Sequence, residues 1–434
     1  MQSKLAFLGK GILFAIPFVS IIVYSGTLFP FIVGKYVAFR ALIELAVICA
    51  LWVWAVYNKA FEWRSLVRNP LFIAVSAFVF FFVVAGLFGY DSASSFWSNY
   101  ERGEGGFQML HLYAFFVLLL LFLRTHAQWR RLFIFSLIAG FFVALFGFLS
   151  VAGVVHGGVA SLCERFAGSL GNPAYMGTYA LFMMFYAGFL LVEDWAKKGV
   201  RFLWGVFVVF FGAILLLSQT RGALIGLGVA LVAGLLYLLF NLKGFRSRIG
   251  VVIAIAVLVV GGILGVVFRR SIDLLPFCNE TGGNRILDIS FAAETYQTRL
   301  ALWQGAWQGF LQRPLLGWGP ENFAPAIEQH FKPVLSGAWY DRAHNIFFDY
   351  LIMTGVLGFL AFVSIFAILF WRLLMKRGGA LVSNVWGRAL LVAMPVGYLV
   401  QGLVLFDVLP IYINIFLFLA FIVFLCEDKK PSLL

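Results

Sequence analysis

The feature that most constrains this chain is a succession of long, uninterrupted apolar runs. Crossing the hydrocarbon layer takes about 20 predominantly apolar residues in a helix. Twelve such runs stand between polar breaks, near 12–33, 37–57, 71–89, 108–123, 132–150, 173–192, 202–217, 223–240, 249–267, 344–371, 387–405 and 408–426. Lipid offers no partner to a bare backbone amide, so only helices and closed barrels span a membrane. The runs are continuous rather than alternating, which excludes the period-two strands of a barrel. The expected fold class is an all-α polytopic membrane protein with about 12 transmembrane helices. Composition agrees: 63% of residues are hydrophobic and 12% charged, and mean hydropathy is +0.97, far from a soluble globular domain.

The first run follows Lys4 and Lys10 with no A-x-A-like cleavage site after it, and reads as an uncleaved first span. The four cysteines, Cys49, Cys163, Cys278 and Cys426, have no metal-binding spacing, and a bridge between Cys163 and Cys278 is left open. Orientation follows from the basic residues. With both termini inside, the inner segments hold 20 of the 32 Lys and Arg but only 5 of the 19 acids. The net charge of +13 then reflects topology, not a nucleic-acid footprint.

Three outer segments exceed a simple turn: 90–107, 151–172 and, longest, 268–343. Loops of the last length without function are uncommon. The chain divides accordingly into helices 1–9 (1–267), a large outer loop (268–343) and helices 10–12 (344–434). Inside the loop, residues 294–311 read as an amphipathic helix whose stripe is Leu300, Trp303, Trp307, Phe310 and Leu311. Pro314 and the turn Gly317-Trp318-Gly319-Pro320 end it. Such a stripe is suited to lying on the bilayer or capping the bundle.

Polar residues at membrane-helix mouths are expensive and are functional candidates by default. Two places stand out. In SQTRGA, apolar sequence begins on both sides of Arg221, fixing the guanidinium at the outer surface against the positive-inside trend. It either snorkels or binds an anion, and a diphosphate suits its planar fork. In RAHNIFFDYLIMTG, Arg342, His344 and Asn345 open a span, with Asp349 just inside. Arg299, one turn before Trp303, either snorkels or joins an anion site.

SQTRGA at a span junction, the R-x-x-x-W helix leading into QRPLLGWGPENF, and RAHNIFFDYLIMTGVLGF together resemble the O-antigen ligase superfamily. WSNYERGEGGF in the first outer loop and GSLGNPAYMGTYALF before the sixth span are also similar to its members. The superfamily covers lipopolysaccharide O-antigen ligases, polysaccharide polymerases and protein O-oligosaccharyltransferases. The resemblance implies a GT-C-like glycosyltransferase of the bacterial inner membrane with a periplasmic active site, inverting and needing neither metal nor cofactor. It implies an undecaprenyl-diphosphate-linked glycan as donor and a hydroxyl acceptor, on a lipid A core sugar, a polysaccharide or a protein. By motif, Arg221 and Arg299 would hold the diphosphate and His344 would be the catalytic histidine. Arg342, Arg102, Asn345 and Trp318 would contact substrate.

The residues themselves are compatible with that chemistry. Fixed positive charge stabilises a leaving diphosphate without reorganisation, and histidine titrates near working pH, as a base requires. For the supporting residues the alternatives stay open: Asn345 as cap or orienting group, Arg342 in the phosphate site or paired with Asp341, Arg102 on substrate or paired with Glu101 or Glu104. No D-x-D and no nucleotide fingerprint occurs. A transporter of lipid-linked glycans or anions is the rival class. Against it, Glu44 and Asp349 are expected toward outer helix ends, and the halves show no repeat.

Overall fold

A computed structural model describes residues 2–57, 63–99, 102–155, 164–267, 294–328, 340–375 and 384–426. Among them there is no strand. The helices run α1 (Gln2–Ala15), α2 (Val33–Tyr57), α3 (Trp63–Leu66), α4 (Pro70–Leu87), α5 (Ser92–Trp97), α6 (Gly106–Phe122), α7 (His126–Val151), α8 (Pro173–Glu193), α9 (Lys198–Leu217), α10 (Arg221–Asn241), α11 (Phe245–Val267), α12 (Glu294–Gln312), α13 (Phe323–Ile327), α14 (Ile346–Met375), α15 (Val385–Gly402) and α16 (Leu409–Leu425). The cysteines 163 and 278, and residues 268–293 and 329–339 of the large loop, lie outside the described residues.

The chain is a polytopic helical membrane protein. Nine helices among the described residues are long and apolar enough to cross a membrane, from Lys4–Ile21 to Ile346–Met375. At the other three expected positions, α6 and α16 are shorter apolar helices, and α15 carries Pro395 in its interior. The span Phe245–Gly265 is only 6% buried, and Val252, Ile253, Val257 and Ile263 stand exposed along it. An apolar surface of that extent marks contact with lipid or another hydrophobic partner.

Two compact units divide the chain: Met1–Phe135, Ala292–Leu381 and Phe406–Leu434 form one, Ser136–Phe291 and Val382–Leu405 the other. In the first, α4 packs along α14, with Phe78 edge-on to Tyr350 at 5.1 Å. Glu44 lies near the middle of α2, not toward an outer end, and meets His111 of α6 at 3.1 Å. In the second unit, α10 packs closely on α15. A methyl group on Gly226 would stand 2.8 Å from the Gly397 carbonyl, the close approach that small residues allow between membrane helices.

The tenth expected span is broken. Gly355 inside α14 has φ 61 and ψ −168, a region almost closed to other residues. The freed backbone groups are taken up by the turn after α12. Trp318 N–H donates to the Ile352 carbonyl at 2.9 Å, Gly319 N–H to Met353 at 2.9 Å, and Val356 N–H to the Pro314 carbonyl at 2.8 Å. The exchange works because irregular backbone inside a membrane protein is tolerated where protein satisfies it. A Cβ at Gly355 would clash with the Leu315 carbonyl oxygen. Gly355→Ala is therefore expected to destabilise the fold by about 1–3 kcal/mol from backbone strain alone, with the clash in addition. A thermal melt in detergent checks this, and an unchanged midpoint would contradict it.

The expected helix within the large loop is α12, but its buried face differs from the expected stripe. Leu302, Gly305, Ala306 and Gly309 are buried, whereas Trp307 and Leu311 are 46% and 52% exposed. Leu302 and Ala306 pack with Phe323, Ala326, Ile327, Ala343, Ile352 and Met353. The physical reason is distance: Gly309 lies against the Ala326 carbonyl, where a Cβ would approach to 2.6 Å. A face of tryptophans could not come that near.

Candidate active site

The first unit brings three separated sequence motifs together. The segment 90–97 of the first loop is tied to the 317–322 turn: Tyr90 N–H donates to the Trp318 carbonyl at 2.8 Å, and Ser95 Oγ to the Pro320 carbonyl at 2.8 Å. Buried Asn322 donates to Ser95 Oγ at 2.9 Å and to the Trp318 carbonyl at 2.9 Å. Trp318 itself turns inward, its Nε1 donating to the Gly309 carbonyl at 2.8 Å while Arg313 lies 4.7 Å from its ring.

The third motif, RAHN, joins through its arginine. Arg342 is buried and donates to Glu321 and, at 3.4 Å, to Glu104. Its neighbour Asp341 takes both a 2.6 Å and a 3.1 Å hydrogen bond from Arg102, whose guanidinium lies 4.8 Å from the Phe406 ring. So the arginines expected to contact substrate are each engaged with carboxylates. Arg102 pairs with Asp341, Glu101 lies outside the described residues, and Arg342 reaches Glu104 and Glu321 besides donating to the Asp341 carbonyl at 2.9 Å. Glu321, and the pairing of Glu104 with Arg342, are what sequence reasoning missed.

His344 follows at once, with φ 53. Its ring lies 5.1 Å from Phe406 and 6.4 Å from Tyr340. Asn345 Oδ1 accepts the Phe347 N–H at 3.0 Å, capping α14 in the manner of an N-cap amide. On the other flank, Trp303 of α12 donates its Nε1 to the Ala343 carbonyl at 3.0 Å and stacks on Phe348. That contact places the helix carrying Arg299 beside the histidine loop. In the second unit, Arg221 is the first residue of α10, preceded by Thr220, whose Oγ1 donates to the Pro173 carbonyl at 2.9 Å.

Backbone strain singles out these same segments. Among the described residues, the non-glycine residues with positive φ are Ser98, Gln219, Glu321 and His344. They fall in WSNY, SQTRGA, GPEN and RAHN respectively. Such conformations persist only where surrounding structure enforces them, and they cluster at functional sites. Residues 206–363 match the family model described as O-antigen ligase.

That stretch is similar to the O-antigen ligase family. No curated protein matches the chain. The matched stretch contains Arg221, Arg299, Trp318, Glu321, Arg342, His344 and Asn345. Arg102 and Glu104 lie outside the matched stretch and are attached to it through Asp341 and Arg342.

Charge at this site follows from burial. Burial, with Arg299 next in weight and Arg102 and Arg342 adding to it, pushes the His344 imidazole down to about 4. The ring is thus neutral at pH 7 and able to accept a proton. Burial pushes Glu104 up to about 8 against the pull of Arg342 and Arg102. For Asp341 burial acts upward too, but the Arg102 hydrogen bond and the two arginine charges outweigh it and hold the carboxyl below its usual range. Arg102 and Arg342 thus stand buried among Asp341, Glu104 and Glu321, paired as buried charges must be. Among the described residues no three His, Cys, Asp or Glu side chains are grouped to hold a metal ion.

Proposed function

We propose that this protein is an inverting, metal-independent glycosyltransferase that moves a glycan from undecaprenyl diphosphate to an acceptor hydroxyl at the outer face of the membrane. The observation that carries this reading is His344: a neutral imidazole in an enforced left-handed conformation, with Arg299, Arg102 and Arg342 all near enough to bias its protonation. In the reaction the acceptor oxygen forms a bond to the anomeric carbon as the bond from that carbon to the diphosphate oxygen breaks. His344 takes the hydroxyl proton. The electron pair leaves with undecaprenyl diphosphate, whose negative charge Arg299 and Arg221 stabilise. Two guanidinium groups suit this task because each offers a fixed, permanently charged fork.

Arg102, Arg342, Asn345 and Trp318 are then parts of the frame around the donor site, and the glycan passes over the surface they support. The family match is to a ligase model, which favours transfer of a finished glycan to a lipid A core sugar or similar acceptor. Polymerisation on the lipid carrier and transfer to a protein use the same donor half of the site.

The test is product identification with purified protein, undecaprenyl-diphosphate glycan and hydroxyl acceptors. Transfer with stoichiometric release of undecaprenyl diphosphate is expected. Arg299→Ala and Arg221→Ala should each lower kcat by about 10²–10³, the usual effect of removing one group that stabilises a developing anion. Movement of intact lipid-linked glycan across a vesicle, with no bond cleaved, would instead establish the transporter.

A further inference from the structure

Asp349 is an acid one turn inside a membrane-spanning helix, and the mechanism above gives it no task. It is 4% exposed. An acid in the first turn of a helix ordinarily reaches back to the N–H of the cap residue. Asp349 reaches further. Its Oδ1 accepts the N–H of Ala343, two residues before the cap Asn345, at 2.7 Å. Its own N–H donates to the Asn345 carbonyl at 2.9 Å. One residue therefore ties both neighbours of His344. Ala343 is fully buried, and its carbonyl is the one held by Trp303 Nε1, so the peptide groups on both sides of Ala343 are fixed. The second oxygen, Oδ2, has no hydrogen-bond partner among the described residues. It borders a cavity of ≈ 20 Å³ lined also by Glu104, Glu321, Arg342 and Asp407.

The geometry points to Asp349 as the positioning residue that holds His344 in its left-handed turn, aiming the imidazole at the acceptor. The inference rests on the reading of His344 as the base. Left alone, a histidine at φ 53 relaxes to an ordinary backbone conformation, because left-handed residues other than glycine carry strain. The Oδ1 bond to Ala343, with Trp303 on the opposite side of the same residue, prevents that relaxation. The role requires an acceptor oxygen at Oδ1, not a charge.

The test combines transfer kinetics with the rate at which diethyl pyrocarbonate modifies His344 in the purified full-length protein, read by mass spectrometry. For Asp349→Ala, kcat should fall about 100-fold, the scale of a misplacement of about 1 Å at a reacting group, with KM for the donor unchanged. His344 modification should accelerate several-fold. Asp349→Asn keeps an acceptor oxygen and should restore most of both values. Trp303→Phe keeps the ring and removes the N–H, so it should shift both in the same direction as Asp349→Ala, and it carries the test alone if that variant does not fold. Wild-type modification kinetics in Asp349→Ala and Trp303→Phe would overturn the inference, as would Asp349→Asn impaired as deeply as Asp349→Ala. Faster modification with unchanged transfer would uphold the positioning role and instead remove His344 from the chemistry.

Discussion

His344→Asn is expected to lower glycan transfer by about 10²–10⁴, the contribution of a positioned general base, while the protein still inserts and melts near the wild-type temperature. Asparagine is the informative replacement because it tolerates the left-handed backbone, whereas alanine would lose base and backbone together. The pH profile gives a second readout. A group acting as base must be unprotonated, and burial beside Arg299 holds the His344 imidazole down at about 4. Transfer should therefore persist as pH falls through the ordinary imidazole range near 6.5, and decline only toward pH 4. The sign for stability follows from the same shift. The unfolded chain takes up a proton near pH 6.5 that the folded site resists until about 4, so folding loses free energy across that interval as pH falls. Full activity in His344→Asn, or an acid limb at the ordinary imidazole value, would defeat the assignment.

Arg342→Ala has the largest expected effect on the fold. The arginine is buried with Glu104 and Glu321 against it, and removing one partner of a buried ionic cluster costs about 3–5 kcal/mol. That is a large part of the roughly 5–15 kcal/mol by which folded proteins exceed their unfolded states. The loss comes from the stranded Glu321, so Arg342→Met combined with Glu321→Gln should regain much of it. Thermal unfolding in detergent separates the cases. A wild-type midpoint for Arg342→Ala would mean that the cluster contributes little and that the guanidinium serves substrate instead.

Helical spans were legible in the sequence because a membrane imposes length and continuity on every apolar run, whatever its partners. The break at Gly355 was not, because a glycine in an apolar helix reads equally as a packing residue or as a kink. The buried face of α12 was missed for a related reason. Tryptophans at helical spacing suggest a docked face, but the close approach of the Ala326 backbone to Gly309 selects the small residues of the helix. Arg221 and His344 stood out because charge at a membrane-helix mouth is expensive, and Arg299 because it precedes Trp303 by one turn in the loop helix. The carboxylates around Arg342 did not, since Glu104 lies 238 residues away from it in the chain and only the folded unit brings them together.

The break in α14 also bears on how the chain is assembled. A helix bent open at Gly355 exposes amides and carbonyls that hydrocarbon cannot satisfy, and the groups that complete them belong to residues 314–319. The span cannot reach its final form as an isolated segment handed to the bilayer. Its last step of maturation waits for the preceding strap, residues 314–319, to dock, so the region that presents Glu321 to Arg342 and the helix that begins beside His344 become native together. With the strap undocked, Arg342 would lack Glu321 and the broken turns at Gly355 would lack their backbone partners.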